Sequence, residues 1–192
     1  MTDALPLLVE IGTEELPPTS LTTLERAFGQ LIGEALLIEG FDHDGLQTFA
    51  TPRRLAIVIN SIATTQPDQA IERRGPAVAA AYDQAGQPTK ALAGFARSCG
   101  VPADAPFETI ASDKGEWVVY RATTPGLTLA ERLGPVLEEA LRQLPIARRM
   151  RWRDLSAEFV RPVRWLAVMI GAEVVPIELF GCCLLYTSDA AD

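Results

Sequence analysis

Apolar residues along the chain fall alternately into short runs and helical stripes. Leu5 to Ile11 is an apolar run ended by Gly12; it predicts a buried strand, and Pro17-Pro18 stops any continuation. Leu21, Leu24, Phe28, Leu31, Ile32, Ala35 and Leu36 then recur at helical spacing, with Ser20 or Thr22 as the cap and Thr22-x-x-Glu25 as a capping box. Leu55 to Ile62 is β-branched and predicts a second strand, introduced by Thr51-Pro52-Arg53-Arg54. Gly75-Pro76 and Gly86-Gln87-Pro88 mark loops around the small-residue segment Ala77 to Ala81.

The second half has the same texture. Leu92, Phe95, Ala96 and Cys99 form a short helix stripe, and Gly100 is placed to cap it in the left-handed conformation. Phe107 to Ala111 and Glu116 to Ala122 flank Ser112-Asp113-Lys114-Gly115 and predict a β-hairpin. Thr128-x-x-Glu131 opens a helix carrying Leu133, Val136, Leu137, Ala140, Leu141 and Leu144, and Pro135 inside it should kink or restart it. Trp165 to Ile170 and Val174 to Phe180 predict two more strands around Gly171. Helices separated by paired short strands, with a hairpin among them, indicate an α+β fold with mostly antiparallel sheet.

Charge changes this picture. The formal net charge is −8, yet Arg148, Arg149, Arg151, Arg153, Arg161 and Arg164 crowd into one stretch with Trp152 and Trp165. Residues 1–50 carry a single base, Arg26, among their acids. The surface is therefore expected to be polarised. Arginine dominates lysine, which occurs only as Lys90 and Lys114, and its planar fork suits phosphate and stacks on rings. The candidate RNA-binding residues are Arg148, Arg149, Arg151, Arg153 and Trp152, with Arg53-Arg54 and Arg73-Arg74 beside proline or glycine turns. The competing explanation is that these arginines pair with Asp154, Glu158, Glu138 and Glu139.

Catalytic motifs are largely missing. The one histidine, His43, sits in Phe41-Asp42-His43-Asp44-Gly45 and suits a solvated turn; no second histidine joins it to hold a metal. Neither G-x-x-x-x-G-K nor G-x-G-x-x-G occurs. Glu10, Glu14 and Glu15 could form an acid–base pair, but Thr13 capping a turn that favours carboxylates is the simpler explanation. Cys99, Cys182 and Cys183 make no disulfide framework or zinc spacing. No stretch reaches the roughly 20 apolar residues of a membrane span, and the N-terminus lacks the basic run of a signal peptide. A cytoplasmic setting fits best.

Several blocks together resemble the β subunit of the bacterial heterotetrameric glycyl-tRNA synthetase. They are Leu8-Val9-Glu10-Ile11-Gly12-Thr13-Glu14-Glu15-Leu16-Pro17-Pro18, Phe49-Ala50-Thr51-Pro52-Arg53-Arg54-Leu55-Ala56, Glu72-Arg73-Arg74-Gly75-Pro76, Gly94-Phe95-Ala96-Arg97, Asp113-Lys114-Gly115-Glu116, and Met150-Arg151-Trp152 with Phe159-Val160-Arg161-Pro162-Val163-Arg164-Trp165. The resemblance implies an α2β2 assembly in which the α subunit activates glycine with ATP and magnesium. The β subunit helps to recognise and charge the glycine-specific tRNA. It also implies that this chain binds no cofactor and carries no catalytic residue, and that its fold is similar to the body and tail modules of archaeal CCA-adding enzymes.

The resemblance covers residues 1–181 as one α+β region, with a subdivision expected near 66–76. Residues 182–192 match nothing in the family and look like translated adapter sequence. Two other functions fit the residues: a general RNA-binding module, and a purely structural module that holds the α subunit.

Overall fold

In the computed structural model, which describes residues 3–83, 85–112, 115–151 and 158–180, the elements run in order as follows. Strand β1 (Ala4–Thr13) is followed by helix α1 (Leu21–Ile38), β2 (His43–Thr51), β3 (Arg54–Ala63) and β4 (Gln69–Ala77). Then come α2 (Val78–Ala81), α3 (Lys90–Cys99), β5 (Glu108–Ser112), β6 (Gly115–Thr124) and α4 (Leu129–Gln143). The short β7 (Met150–Arg151) and β8 (Glu158–Phe159) precede β9 (Val163–Ile170) and β10 (Glu173–Val174). The fold is α+β, with antiparallel pairing throughout these strands. The chain divides into two units, one made of residues 1–66 and 127–192, the other Pro67–Gly126.

In the first unit the sheet order is β10-β9-β1-β3-β2. Alternation fixes its faces. Leu7, Val9 and Ile11 of β1, Leu55, Ile57 and Ile59 of β3, and Leu166 and Val168 of β9 point into one core with Leu24, Phe28, Ile32 and Leu36 of α1 and Leu133, Leu137 and Leu141 of α4. Both helices thus cover one face of the sheet. Residues of the opposite parity, among them Leu8, Glu10, Gly12, Arg54 and Trp165, occupy the other face. A β-bulge between Gly12 and Thr13 of β1 shifts the β9 register, so Gly12 faces Trp165 and Thr13 faces Val163. Arg164 is the extra residue.

In the second unit β4-β6-β5 form the sheet, and a small core gathers Ala81, Leu92 and Val118 with Val78, Tyr82, Phe95 and Phe107. Gly100 caps α3 at φ 75°, as the stripe ended by glycine predicts. The β5–β6 hairpin is also present.

Several expectations are corrected. Helix α1 begins at Leu21, so Thr22 lies inside its first turn and forms no capping box; the Glu25 carboxylate instead accepts from the Thr48 hydroxyl at 3.0 Å. His43 is not a solvated turn residue. It starts β2, and its Nε2 donates to the Gly33 carbonyl of α1 at 3.1 Å. Gly75-Pro76 belongs to the end of β4, and Val78–Ala81 is a single helical turn. Helix α4 runs through Pro135 without restarting, held by flanking apolar packing although proline cannot donate to the Glu131 carbonyl. The last strand is only Glu173–Val174; the Val175 N–H still donates to Val168 O at 2.9 Å, and Pro176, which has no N–H to donate, follows it.

Candidate nucleic-acid interface

The end of β1, the β2–β3 turn and the start of β9 meet at one edge of the first unit. Backbone bonds fix them together: the Thr13 N–H donates to Arg53 O at 2.9 Å, Leu16 N–H to Pro52 O at 2.6 Å and Glu14 N–H to Pro162 O at 3.0 Å. Two prolines supply carbonyls here without competing donors of their own. The Arg161 Nε adds a bond to Glu15 O at 3.0 Å. The Thr13 hydroxyl donates to Glu14 O at 2.7 Å, so it caps no N–H group.

This frame opens a cleft of about 460 Å³ lined by Thr13, Glu14, Thr51, Arg53, Arg54, Arg164 and Trp165. Gly12 faces Arg54 on one side and Trp165 on the other. The Trp165 indole lies across Gly12, and the Arg54 guanidinium carbon sits 5.2 Å from its ring centroid, within cation–π range. The bulge sends Arg164 to the same side as Trp165, where strict alternation would have opposed them. Three arginines thus line one cleft with the indole, against the single lining carboxylate of Glu14. Arg164 binds Glu14 through Nε at 2.6 Å and through Nη2. Arg54 pairs with Glu10 at 3.2 Å. The Arg53 side chain has no bonded partner among the described residues.

The other arginines divide by role. Arg149 donates from Nη2 to Arg142 O at 2.6 Å and to Leu144 O at 3.4 Å, and from Nη1 to Glu158 O at 3.4 Å. It therefore satisfies carbonyls at the C-terminal end of α4, which lack helical partners. Arg151 pairs with Glu158 at 2.9 Å across β7 and β8. Arg148 is exposed, has no partner among the described residues, and lines a second groove with Pro17, Met150 and Arg161. Trp152 and Arg153 lie outside the described residues. In the second unit Arg74 stacks over Trp117 at 4.1 Å and Arg73 donates to Ser98 O at 2.8 Å.

Among the described residues no group of His, Cys, Asp and Glu is placed to hold a metal, and no helix is long and apolar enough to cross a membrane. In the sequence Arg164 and Trp165 stand out as part of a basic stretch and of a family block, and neither is singled out as a binding residue. The bulge and the glycine that seat them leave no periodic signal.

The model of the glycyl-tRNA synthetase β subunit family matches residues 7–190. The chain belongs to this family. It is 45% identical over 174 residues to the glycine–tRNA ligase β subunit of Haemophilus influenzae, covering 91% of this chain and 25% of that protein. The β subunit of Marinobacter nauticus is 47% identical over 168 residues, covering 88% and 24%. That of Hahella chejuensis is 46% identical over 174 residues, covering 91% and 25%. The chain therefore spans about a quarter of the length of these relatives and corresponds to the N-terminal part of a glycine–tRNA ligase β subunit. Within the block Leu8 to Pro18, Gly12 is the seat of Trp165 and Glu14 is the partner of Arg164.

Proposed function

We propose that this chain serves glycyl-tRNA synthesis in the cytoplasm by holding the glycine-specific tRNA and by assembling with a catalytic α subunit into an α2β2 enzyme. The α subunit carries ATP, magnesium and the activation of glycine. What supports the RNA-binding part is one observation: Arg53, Arg54 and Arg164 line one open cleft with Trp165, and Arg54 stacks on its ring. Guanidinium groups take phosphate in paired hydrogen bonds, and an indole offers a surface for an unpaired base. Arg148 in the neighbouring groove extends the basic surface, whereas Arg149 donates to carbonyls at the end of α4 and to Glu158 O.

The test is aminoacylation by the full-length β subunit assembled with the α subunit. Arg164→Ala combined with Arg53→Ala is expected to raise KM for tRNA by roughly a hundredfold, as the loss of two charge-assisted phosphate bonds of about 1.5 kcal/mol each would. Glycine-dependent pyrophosphate exchange should continue at the unaltered rate. Unchanged KM for tRNA, or loss of exchange through failed assembly, would assign this surface to another role.

A further inference from the structure

Two of the cleft's three arginines, Arg54 and Arg164, are already paired with carboxylates of the same chain. Both described bonds from Arg164 to Glu14 converge on the single oxygen Oε1, from Nε and Nη2. They take one of the two edges from which a guanidinium can make paired hydrogen bonds. Among the described residues the Nη1/Nη2 edge meets no second acceptor. Arg164 is 63% exposed along its side chain against 33% for Glu14, and Arg54 is 53% exposed against 19% for Glu10. In each pair the carboxylate lies deeper and the guanidinium faces outward.

An arriving phosphate has two ways to take Arg164. It can displace Glu14 from the Nε/Nη2 edge, or it can bind the Nη1/Nη2 edge and share the guanidinium with Glu14. Displacement gives up an existing ion pair; sharing places two anions within a few ångströms of each other, which repel. Either way Glu14 opposes the phosphate. The same holds for Glu10 at Arg54. Arg53 meets no such opposition among the described residues and remains the first group a phosphate can reach.

We propose that Glu14 and Glu10 are internal competitors for the arginines of this cleft, so that RNA is admitted only where several contacts together outweigh the displaced carboxylates. Specificity is a difference of affinities. A weakly held polyanion that offers one or two phosphates pays the displacement in full, while an RNA that also stacks a base on Trp165 and engages Arg53 recovers it. Glu14 and Glu10 thereby set selectivity without touching a base. The inference rests on the cleft being an RNA-binding site.

The experiment measures binding of glycine-specific tRNA and of a single-stranded oligonucleotide of unrelated sequence to the full-length β subunit assembled with its α subunit. Glu14→Gln is nearly isosteric and still offers Arg164 an oxygen. It should tighten the unrelated oligonucleotide by about two- to fivefold, the range set by partly exposed ion pairs, and tighten the tRNA less, so that discrimination falls. Glu10→Gln tests the same proposition at Arg54 and keeps it open to refutation if the first variant does not fold. Unaltered or weaker binding in both variants, with Arg164→Ala weakening it, makes the carboxylates positioning residues and overturns the inference while the cleft remains an RNA site. If Arg53→Ala and Arg164→Ala leave both affinities unaltered, the cleft is not an RNA site and the inference falls with it.

Discussion

A Cβ built on Gly12 would lie 2.0 Å from Cε2 of Trp165 and 2.2 Å from its Nε1. The indole therefore fills the space that a side chain at position 12 would claim, on the row that also holds Arg54. The absence of a side chain on β1 is what lets an aromatic ring from β9 reach toward an arginine on β3. Cross-strand pairing alone would leave the three residues as separate neighbours.

Gly12→Ala should accordingly displace the indole and separate Trp165 from Arg54. Overpacking of this kind costs about 1–3 kcal/mol, and the cost here falls on the cleft because Trp165 is partly exposed and can swing away. Intrinsic tryptophan fluorescence is expected to shift to longer wavelength, with a lower melting temperature. An unshifted spectrum in the folded variant would show that the ring and Gly12 are not in contact.

Arg148 and Arg149 are adjacent in sequence and differ in what they hold. Replacing Arg149 with alanine should lower the melting temperature, because the Arg142 carbonyl loses its guanidinium donor at the end of α4, while the Leu144 carbonyl keeps only the Ile146 N–H at 2.8 Å. Replacing Arg148 should leave the melting temperature unaltered and weaken RNA binding. Thermal unfolding of the two single variants separates these roles. Equal destabilisation by both would mean that Arg148 is also a structural residue.

The pair between Glu39, at the end of α1, and Arg132 of α4 makes stability depend on acid. Arg132 donates to both Glu39 oxygens, at 2.7 and 2.9 Å, and these hydrogen bonds hold the Glu39 carboxyl below the ordinary glutamate value against a smaller opposing effect of burial. A carboxyl whose pKa is lowered by folding contributes stability that is fully present above its unfolded value. That contribution is lost as pH falls through the lowered folded value. Glu39→Gln should therefore melt at a lower temperature than the native chain at neutral pH, and the gap should narrow below about pH 4.5. A gap that is constant from neutral to acid pH would show that the effect is not the charge of Glu39.

Much of the fold is legible in the sequence where local chemistry decides it. Thr128 and Glu131 form the reciprocal capping box their spacing implies, with Thr128 N–H donating to the Glu131 carboxylate at 2.8 Å and Thr128 Oγ1 accepting from Glu131 N–H at 3.4 Å. The apolar stripes of α1 and α4 bury the residues that helical periodicity selects. Tertiary contacts override the local signals elsewhere. Asp42-His43-Asp44-Gly45 has turn composition, yet His43 and the residues after it pair with β3 from Ile62 downward, because the apolar β3 has two edges to satisfy.

The candidate site was legible in part. A basic, tryptophan-bearing stretch is visible in the chain, and Arg53-Arg54 stand out beside a proline. Which arginines come together depends on the bulge at Arg164, the seat at Gly12 and the proline carbonyls at 52 and 162, none of which has a periodic signature. Sequence proximity also hides the division of labour between Arg148 and Arg149, which is set by where the last turn of α4 leaves its carbonyls.

Whether phosphate is held by the cleft is tested most directly by the salt dependence of glycine-specific tRNA binding to the full-length β subunit in complex with its α subunit. The native protein is compared with the Arg53→Ala, Arg164→Ala double variant. Each phosphate contact contributes about 0.7–0.9 to the slope of log affinity against log salt, so the double variant should bind more weakly at low salt with a slope shallower by roughly 1.4–1.8 units. A folded double variant with the native affinity and the native slope would contradict the assignment of this cleft to RNA.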